Sequence, residues 1–171
     1  MDKINSRELT LGAIITVLSL LILLLTSILV TSKVFLVCLA SFLISILIIE
    51  TKVNTAVISY VSTVILSVIL VPNKLIVAPY VLFFGYYGIT KYYIEKINKL
   101  SIEYILKLLN FNIYVFLNYK LLTVFIKDNI KLPLTTGIII IGLQVFFLVY
   151  DYVFSLFISY YRQKIQRHLK R

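Results

Sequence analysis

Residues 9–31 read LTLGAIITVLSLLILLLTSILVT, a run without a single Asp, Glu, Lys or Arg. At ~1.5 Å per residue a helix of that length reaches ~35 Å, enough to cross a hydrocarbon core of ~30 Å. Five further apolar stretches follow, at about 33–50, 53–71, 75–94, 103–126 and 133–161. Only helices and closed barrels satisfy their backbone groups in lipid, and none of these stretches alternates with the period of two that barrel strands require. The pattern predicts an all-α, polytopic integral membrane protein. It is a compact bundle of six transmembrane helices forming one domain over residues 1–171, with a basic tail at 162–171. The second and third stretches are the shortest and sit closest to the lower limit for crossing.

Composition agrees. The chain is 61% hydrophobic and 14% charged, against about 25% charged in soluble domains. The gaps between stretches are short, as at Thr31-Ser32-Lys33, Glu50-Thr51-Lys52 and Val71-Pro72-Asn73-Lys74. Such loops force neighbouring spans to pack antiparallel. The longest inner loop is expected from about Lys91 to Glu103. An outer one is expected around Lys127–Lys131, ending at Pro133, a suitable opening residue for the last helix. No internal repeat is evident, which argues against an inverted-repeat transporter.

A net charge of +10 would suggest nucleic acid on a soluble chain. Here the positions of the charges give another answer. With six spans, one side carries Lys3, Arg7, Lys52, Lys91, Lys96, Lys99, Lys107, Arg162, Lys164, Arg167, Lys170 and Arg171; the other carries Lys33, Lys74, Lys120, Lys127 and Lys131. Twelve against five is the positive-inside bias, so both termini are expected in the cytoplasm of a multi-pass cell-membrane protein. The tail is placed to touch anionic headgroups. The first span is too long for a signal-peptide core, and no A-x-A site follows it, so it is expected to remain attached.

Polar residues inside spans fall into stripes. Lys107, Asn110, Tyr114 and Asn118 are spaced by 3, 4 and 4 and share one face of the fifth span. Gln144, Asp151, Ser155, Ser159 and Arg162 do the same on the sixth, so the two stripes are expected to face each other or a shared cavity. Asp151 is the sharpest of them, since a carboxylate there costs ~2.5–3.5 kcal/mol unless protonated, paired or hydrated. It is either a proton- or substrate-coupled carboxylate or a structural partner for Lys107, Lys91 or tyrosines on neighbouring helices. Together Lys107, Asn110, Tyr114 and Asp151 form an expected intramembrane polar network. Thr55, Ser59, Thr63 and Ser67 recur every four residues in the third span, and Gly12, Thr16 and Ser19 make a similar stripe in the first. These are helix-contact faces, within the bundle or toward a partner. Gly85 and Gly88 permit close helix approach in the fourth.

Enzymatic chemistry has little to work with. His168, the one histidine, lies in the tail, and Cys38 is the one cysteine. A Ser-His dyad inside the membrane, an H-E-x-x-H zinc site, a second intramembrane Asp and a phosphate-binding loop are all lacking. No enzyme activity, cofactor or metal is expected.

Size, span number, cytoplasmic ends and the small-residue face of the first helix resemble the substrate-binding S component of energy-coupling factor transporters. In place of that family's Ala-x-x-x-Ala pattern stand Gly12-x-x-x-Thr16 and Ala13-x-x-x-Val17. The segment from Val71-Pro72-Asn73-Lys74 through Phe83-Phe84-Gly85-Tyr86-Tyr87-Gly88 is also similar to clostridial membrane proteins of similar length. The S-component resemblance implies substrate capture from outside between the outer halves of the last three spans, with Tyr80, Asn118, Lys120 and Gln144 as lining residues. It implies Gly12, Ala13 and Thr16 against a transmembrane coupling subunit that works with cytosolic ATPases. Two departures stand out: the gap at Thr31–Lys33 is short for a gating loop, and the histidine-rich amino terminus of metal-binding members is missing. A second resemblance, to small membrane subunits of the cell-elongation machinery, implies a non-enzymatic scaffold whose polar stripes are packing surfaces.

Overall fold

A computed structural model describes residues 5–29, 32–126 and 136–165. The predicted loop at Lys127–Lys131, Pro133 and the tail from Arg167 onward lie outside the described residues. Those residues are helical, with no strand among them. In chain order the elements are α1 (Ser6–Ile28), α2 (Lys33–Glu50), α3 (Val53–Leu70), α4 (Lys74–Pro79), a π-helical turn (Tyr80–Phe84), α5 (Gly85–Glu95), α6 (Leu100–Ile126) and α7 (Thr136–Tyr160), which ends in a second π-helical turn (Tyr161–Ile165). Five helices, α1, α2, α3, α6 and α7, are long and apolar enough to cross a membrane.

The fourth predicted span, 75–94, is the exception. It is three abutting helical pieces rather than one α-helix. Pro79 has no N–H to return to the previous turn and its ring crowds the carbonyl there, so regular bonding cannot run through it. The chain widens instead, and the Gly85 N–H bonds to the Tyr80 carbonyl five residues back. The loop expected from Lys91 to Glu103 is also shorter. α5 runs to Glu95 and α6 starts at Leu100, so Lys91, Glu95 and Glu103 all sit on helices. Asn98 makes the turn with φ 55°, a conformation that asparagine tolerates better than most residues.

Short connections alternate the helix directions. The starts of α1, α3 and α6 and the ends of α2, α5 and α7 meet at one end of the bundle, here the near end; the starts of α2 and α4 and the ends of α1 and α3 define the far end. At the far end Asn73 caps α4 by accepting from the Leu75 N–H at 3.1 Å. The Lys74 ammonium turns back to close α3, donating to the carbonyls of Val68 and, at 2.7 Å, Val71.

α1 and α3 pack through their small-residue stripes, with Gly12, Thr16 and Ser19 buried on one and Thr55, Ser59, Thr63 and Ser67 on the other. The Ser59 hydroxyl bonds the Gly12 carbonyl at 2.8 Å and the Thr16 hydroxyl at 2.6 Å. Elsewhere the core is aromatic. Phe83 is fully buried and meets the rings of Phe84, Tyr87, Phe111, Tyr114 and Phe147. For helices surrounded by lipid, which gain nothing by hiding apolar surface from one another, interlocking shapes of this kind would carry the association. The outward surface is apolar instead, including Ile69, Leu100, Ile138 and Ile141, each more than 60% exposed.

Candidate functional site

Two features stand out in the bundle, one toward each end. Near-end chemistry centres on Asp151, which α7 places opposite α5 and α6. Its carboxylate takes a 2.6 Å hydrogen bond from the Tyr87 hydroxyl, an ion pair from Lys91, and a 3.1 Å ion pair from Lys107. Each lysine also reaches Glu95, at 2.8 Å, and Lys91 donates to the Ser155 hydroxyl at 2.8 Å. Two cations and two carboxylates thus form a closed, charge-balanced ring. Its members are deeply placed: Lys91 is 1% exposed, Lys107 5% and Asp151 7%. Glu95 is the member open to solvent. Burial alone would push its carboxyl up, but Lys107 and Lys91 outweigh that and hold it below the usual carboxylate value.

The helices set this geometry through spacing. Tyr87, Lys91 and Glu95 recur every four residues along one face of α5, and Asp151 and Ser155 do so on α7. Close approach of the backbones depends on Gly88, where an added Cβ would collide with the Ser45 hydroxyl. Deeper in, α2 and α7 are tied by a 2.6 Å hydrogen bond between Ser41 and Tyr150. A cavity of about 380 Å³ between α6 and α7 opens onto the ring, lined by Glu95, Glu103, Lys107, Asp151 and Ser155 among others.

The far-end feature is a cavity of about 410 Å³ between α2, α4, α6 and α7. Its walls are largely apolar and aromatic, with Pro79, Phe84, Phe111 and Phe146 prominent, and Lys33 is its one charged lining residue among those described. Tyr114 also belongs to its lining. Its volume lies within the range of small-molecule sites, and its walls are apolar with a few polar residues.

The expected polar network divides between these features. Asp151 and Lys107 meet directly, whereas Asn110 accepts a 3.4 Å bond from Tyr86 and Tyr114 lines the far cavity. The four expected lining residues are not drawn together. Tyr80 is fully buried beside Tyr60, with its hydroxyl toward Thr63 and Ser19. Asn118 donates to the Tyr114 carbonyl at 3.1 Å, the Lys120 ammonium lies 5.7 Å from the Phe116 ring centre, and Gln144 donates to Asn112 at 2.8 Å. Of the residues expected to meet a partner helix, Gly12 and Thr16 are buried against α3 and Ala13 is exposed. Sequence reasoning missed the far cavity altogether, because Lys33, Phe84, Phe111 and Phe146 come from four different elements and share no spacing.

No protein-family model, curated protein or solved structure matches the chain.

Proposed function

We propose that the protein is a six-span cell-membrane subunit, with α4, the π turn and α5 together making the fourth crossing and both termini in the cytoplasm. It binds a small molecule from the outer side and serves as the substrate-binding subunit of a multi-component, ATP-driven uptake transporter, with no catalysis of its own. The far-end cavity carries this reading: it has the size and lining of a ligand site, and with twelve of the seventeen Lys and Arg assigned inside, its mouth faces outward. Beneath it the aromatic layer around Phe83 and the near-end ionic ring pack the bundle closed, so a captured solute needs partner subunits and their energy to move on. Tagged protein extracted in mild detergent should co-purify with a transmembrane subunit and an ATPase. A preparation that retains binding partners but contains no ATPase would overturn the transporter assignment.

A scaffold role is the second reading, and one observation favours it. A groove of about 290 Å³ runs along α1 and α3, floored by Gly12, Thr16 and Ser59 and walled by the exposed Leu9, Val17 and Ile58. It has the form that a partner helix fits. Filling the groove with Ala13→Leu and the far cavity with Leu143→Phe separates the two. A scaffold loses its partner in the first variant and is indifferent to the second; a binding subunit loses uptake in both.

A further inference from the structure

Two polar residues line the far-end cavity without a side-chain hydrogen bond or ion pair among the described residues. Lys33 makes no hydrogen bond or ion pair with any described residue, and the Tyr114 hydroxyl bonds to none either. The contrast with Lys74 at the same end is instructive, because Lys74 spends its ammonium on the carbonyls of α3. Lys33, in the first turn of α2, faces instead into a chamber whose walls are Phe, Pro, Val and Leu. A cation and a phenol in the lining of an otherwise apolar chamber match a molecule that is apolar along its body and anionic at one end. An ammonium–carboxylate hydrogen bond is roughly twice as strong as a neutral one, and an apolar wall gives the body no polar group to satisfy.

We propose that the far-end cavity binds a small amphiphilic carboxylic acid taken from the outer side, its carboxylate on Lys33, its apolar body against Phe84, Phe111 and Phe146, and Tyr114 as a further donor. This rests on the reading of that cavity as the ligand site, and it adds the class of ligand. A single-chain carboxylate is the occupant rather than a phospholipid because a chamber of about 410 Å³ suits a single drug-sized body and not two acyl chains.

Binding of radiolabelled decanoate, with decan-1-ol as its neutral counterpart, to the full chain in phosphatidylcholine nanodiscs tests the proposal. Decanoate should bind saturably and one to one. Lys33→Gln should weaken it about tenfold or more, Lys33→Arg should restore most of the affinity, and Leu143→Phe should abolish it by filling the chamber. Decanol should bind more weakly and equally well to the wild type and Lys33→Gln. Equal decanoate affinity in Lys33→Gln, or decanol binding as tightly as decanoate, overturns the assignment of an anion. So does a tenfold loss of decanoate affinity when a few mole per cent of phosphatidylglycerol, too little to build a repelling surface charge, is mixed into the phosphatidylcholine; that would make a lipid headgroup the natural occupant. Failure here is separable from failure of the transporter reading. Protein that co-purifies with an ATPase but binds neither probe sinks this inference alone; protein that binds decanoate through Lys33 yet never meets an ATPase sinks the other.

Discussion

The Tyr87 hydroxyl donates a 2.6 Å hydrogen bond to the Asp151 carboxylate, joining α5 to α7 across 64 residues of sequence. That bond completes the set of partners that lets an acid sit within an apolar helix. Asp151 would cost ~2.5–3.5 kcal/mol if left bare at the centre of a membrane helix; with two ammonium groups and a phenol it is fully occupied.

Removing single members should therefore be graded. Tyr87→Phe deletes one hydrogen bond to a charged acceptor and should cost about 1.5–3 kcal/mol. Asp151→Asn leaves two buried lysines sharing Glu95 and should cost about 3–5 kcal/mol. Lys91→Met combined with Asp151→Leu removes cation and anion together, and should cost less than Asp151→Asn alone. Unfolding in mixed detergent–SDS micelles measures all three. A double variant less stable than the single one would mean that the ring is more than a neutralised charge set.

How far the sequence discloses this arrangement depends on the element. Asp151 and its possible lysine and tyrosine partners stand out because lipid makes a carboxylate conspicuous, and the small-residue stripes of α1 and α3 stand out because every fourth residue repeats. Pro79 gives no comparable warning. Its neighbours are apolar, and hydropathy does not register the lost N–H that turns a single span into three helical pieces. The stripe on α6 fixes a face but not the neighbour that face meets: Gln144 of α7 pairs with Asn112, which is off the stripe. Cavities such as that under Lys33 arise from the relative heights and rotations of four elements, and no spacing within one helix encodes those.

Acid should loosen the near end. Glu95 is held below its ordinary value of 4.5 by Lys107 and Lys91, against the upward push of burial. A carboxyl whose value is depressed on folding contributes stability that is fully present above the unfolded value and is lost as pH falls through the folded one. Stability should thus be flat from neutral pH to about 5 and decline below 4.5. Glu95→Gln should be less stable at neutral pH and should show a smaller decline. Unfolding midpoints of the two proteins between pH 7 and pH 3 check this; parallel curves would mean that Glu95 contributes nothing to the acid response.

The contact of α1 with α3 rests on one hydroxyl more than on the others. Ser59 bonds both the Gly12 carbonyl and the Thr16 hydroxyl, while Thr16 keeps its bond to the Gly12 carbonyl when Ser59 is gone. Interhelical hydrogen bonds in membranes average ~0.6 kcal/mol, up to ~1.7. Ser59→Ala should therefore cost about 1 kcal/mol, and a Thr16→Val, Ser59→Ala cycle should give a coupling near 0.6 kcal/mol. Ser59→Leu should do far more damage, since it wedges apart helices whose closeness depends on small side chains. A Ser59→Leu protein as stable as Ser59→Ala would show that the two helices do not pack through this stripe.

Glycines in different surroundings provide the clearest comparison of packing with helix propensity. An alanine Cβ at Gly85 would lie 2.6 Å from the Tyr60 ring and 2.9 Å from the Tyr80 ring, and Tyr80 is fully buried in the π turn. At Gly88 it would strike the Ser45 hydroxyl and come within 3.3 Å of Phe154. At Gly142, on α7, nothing lies within 4 Å. Alanine brings ~1 kcal/mol of helix propensity at every one of these positions, while forcing a side chain into filled space costs typically 1–3 kcal/mol. Gly142→Ala should consequently stabilise the protein, by up to about 1 kcal/mol. Gly85→Ala should destabilise it, because two tyrosine rings must move and one has nowhere exposed to go. Gly88→Ala should fall between, since the Ser45 hydroxyl has no partner among the described residues and can rotate away at little cost. The measured order of the three unfolding free energies decides the matter: a Gly85→Ala variant at least as stable as Gly142→Ala would mean that the π turn and α3 are not in the contact described.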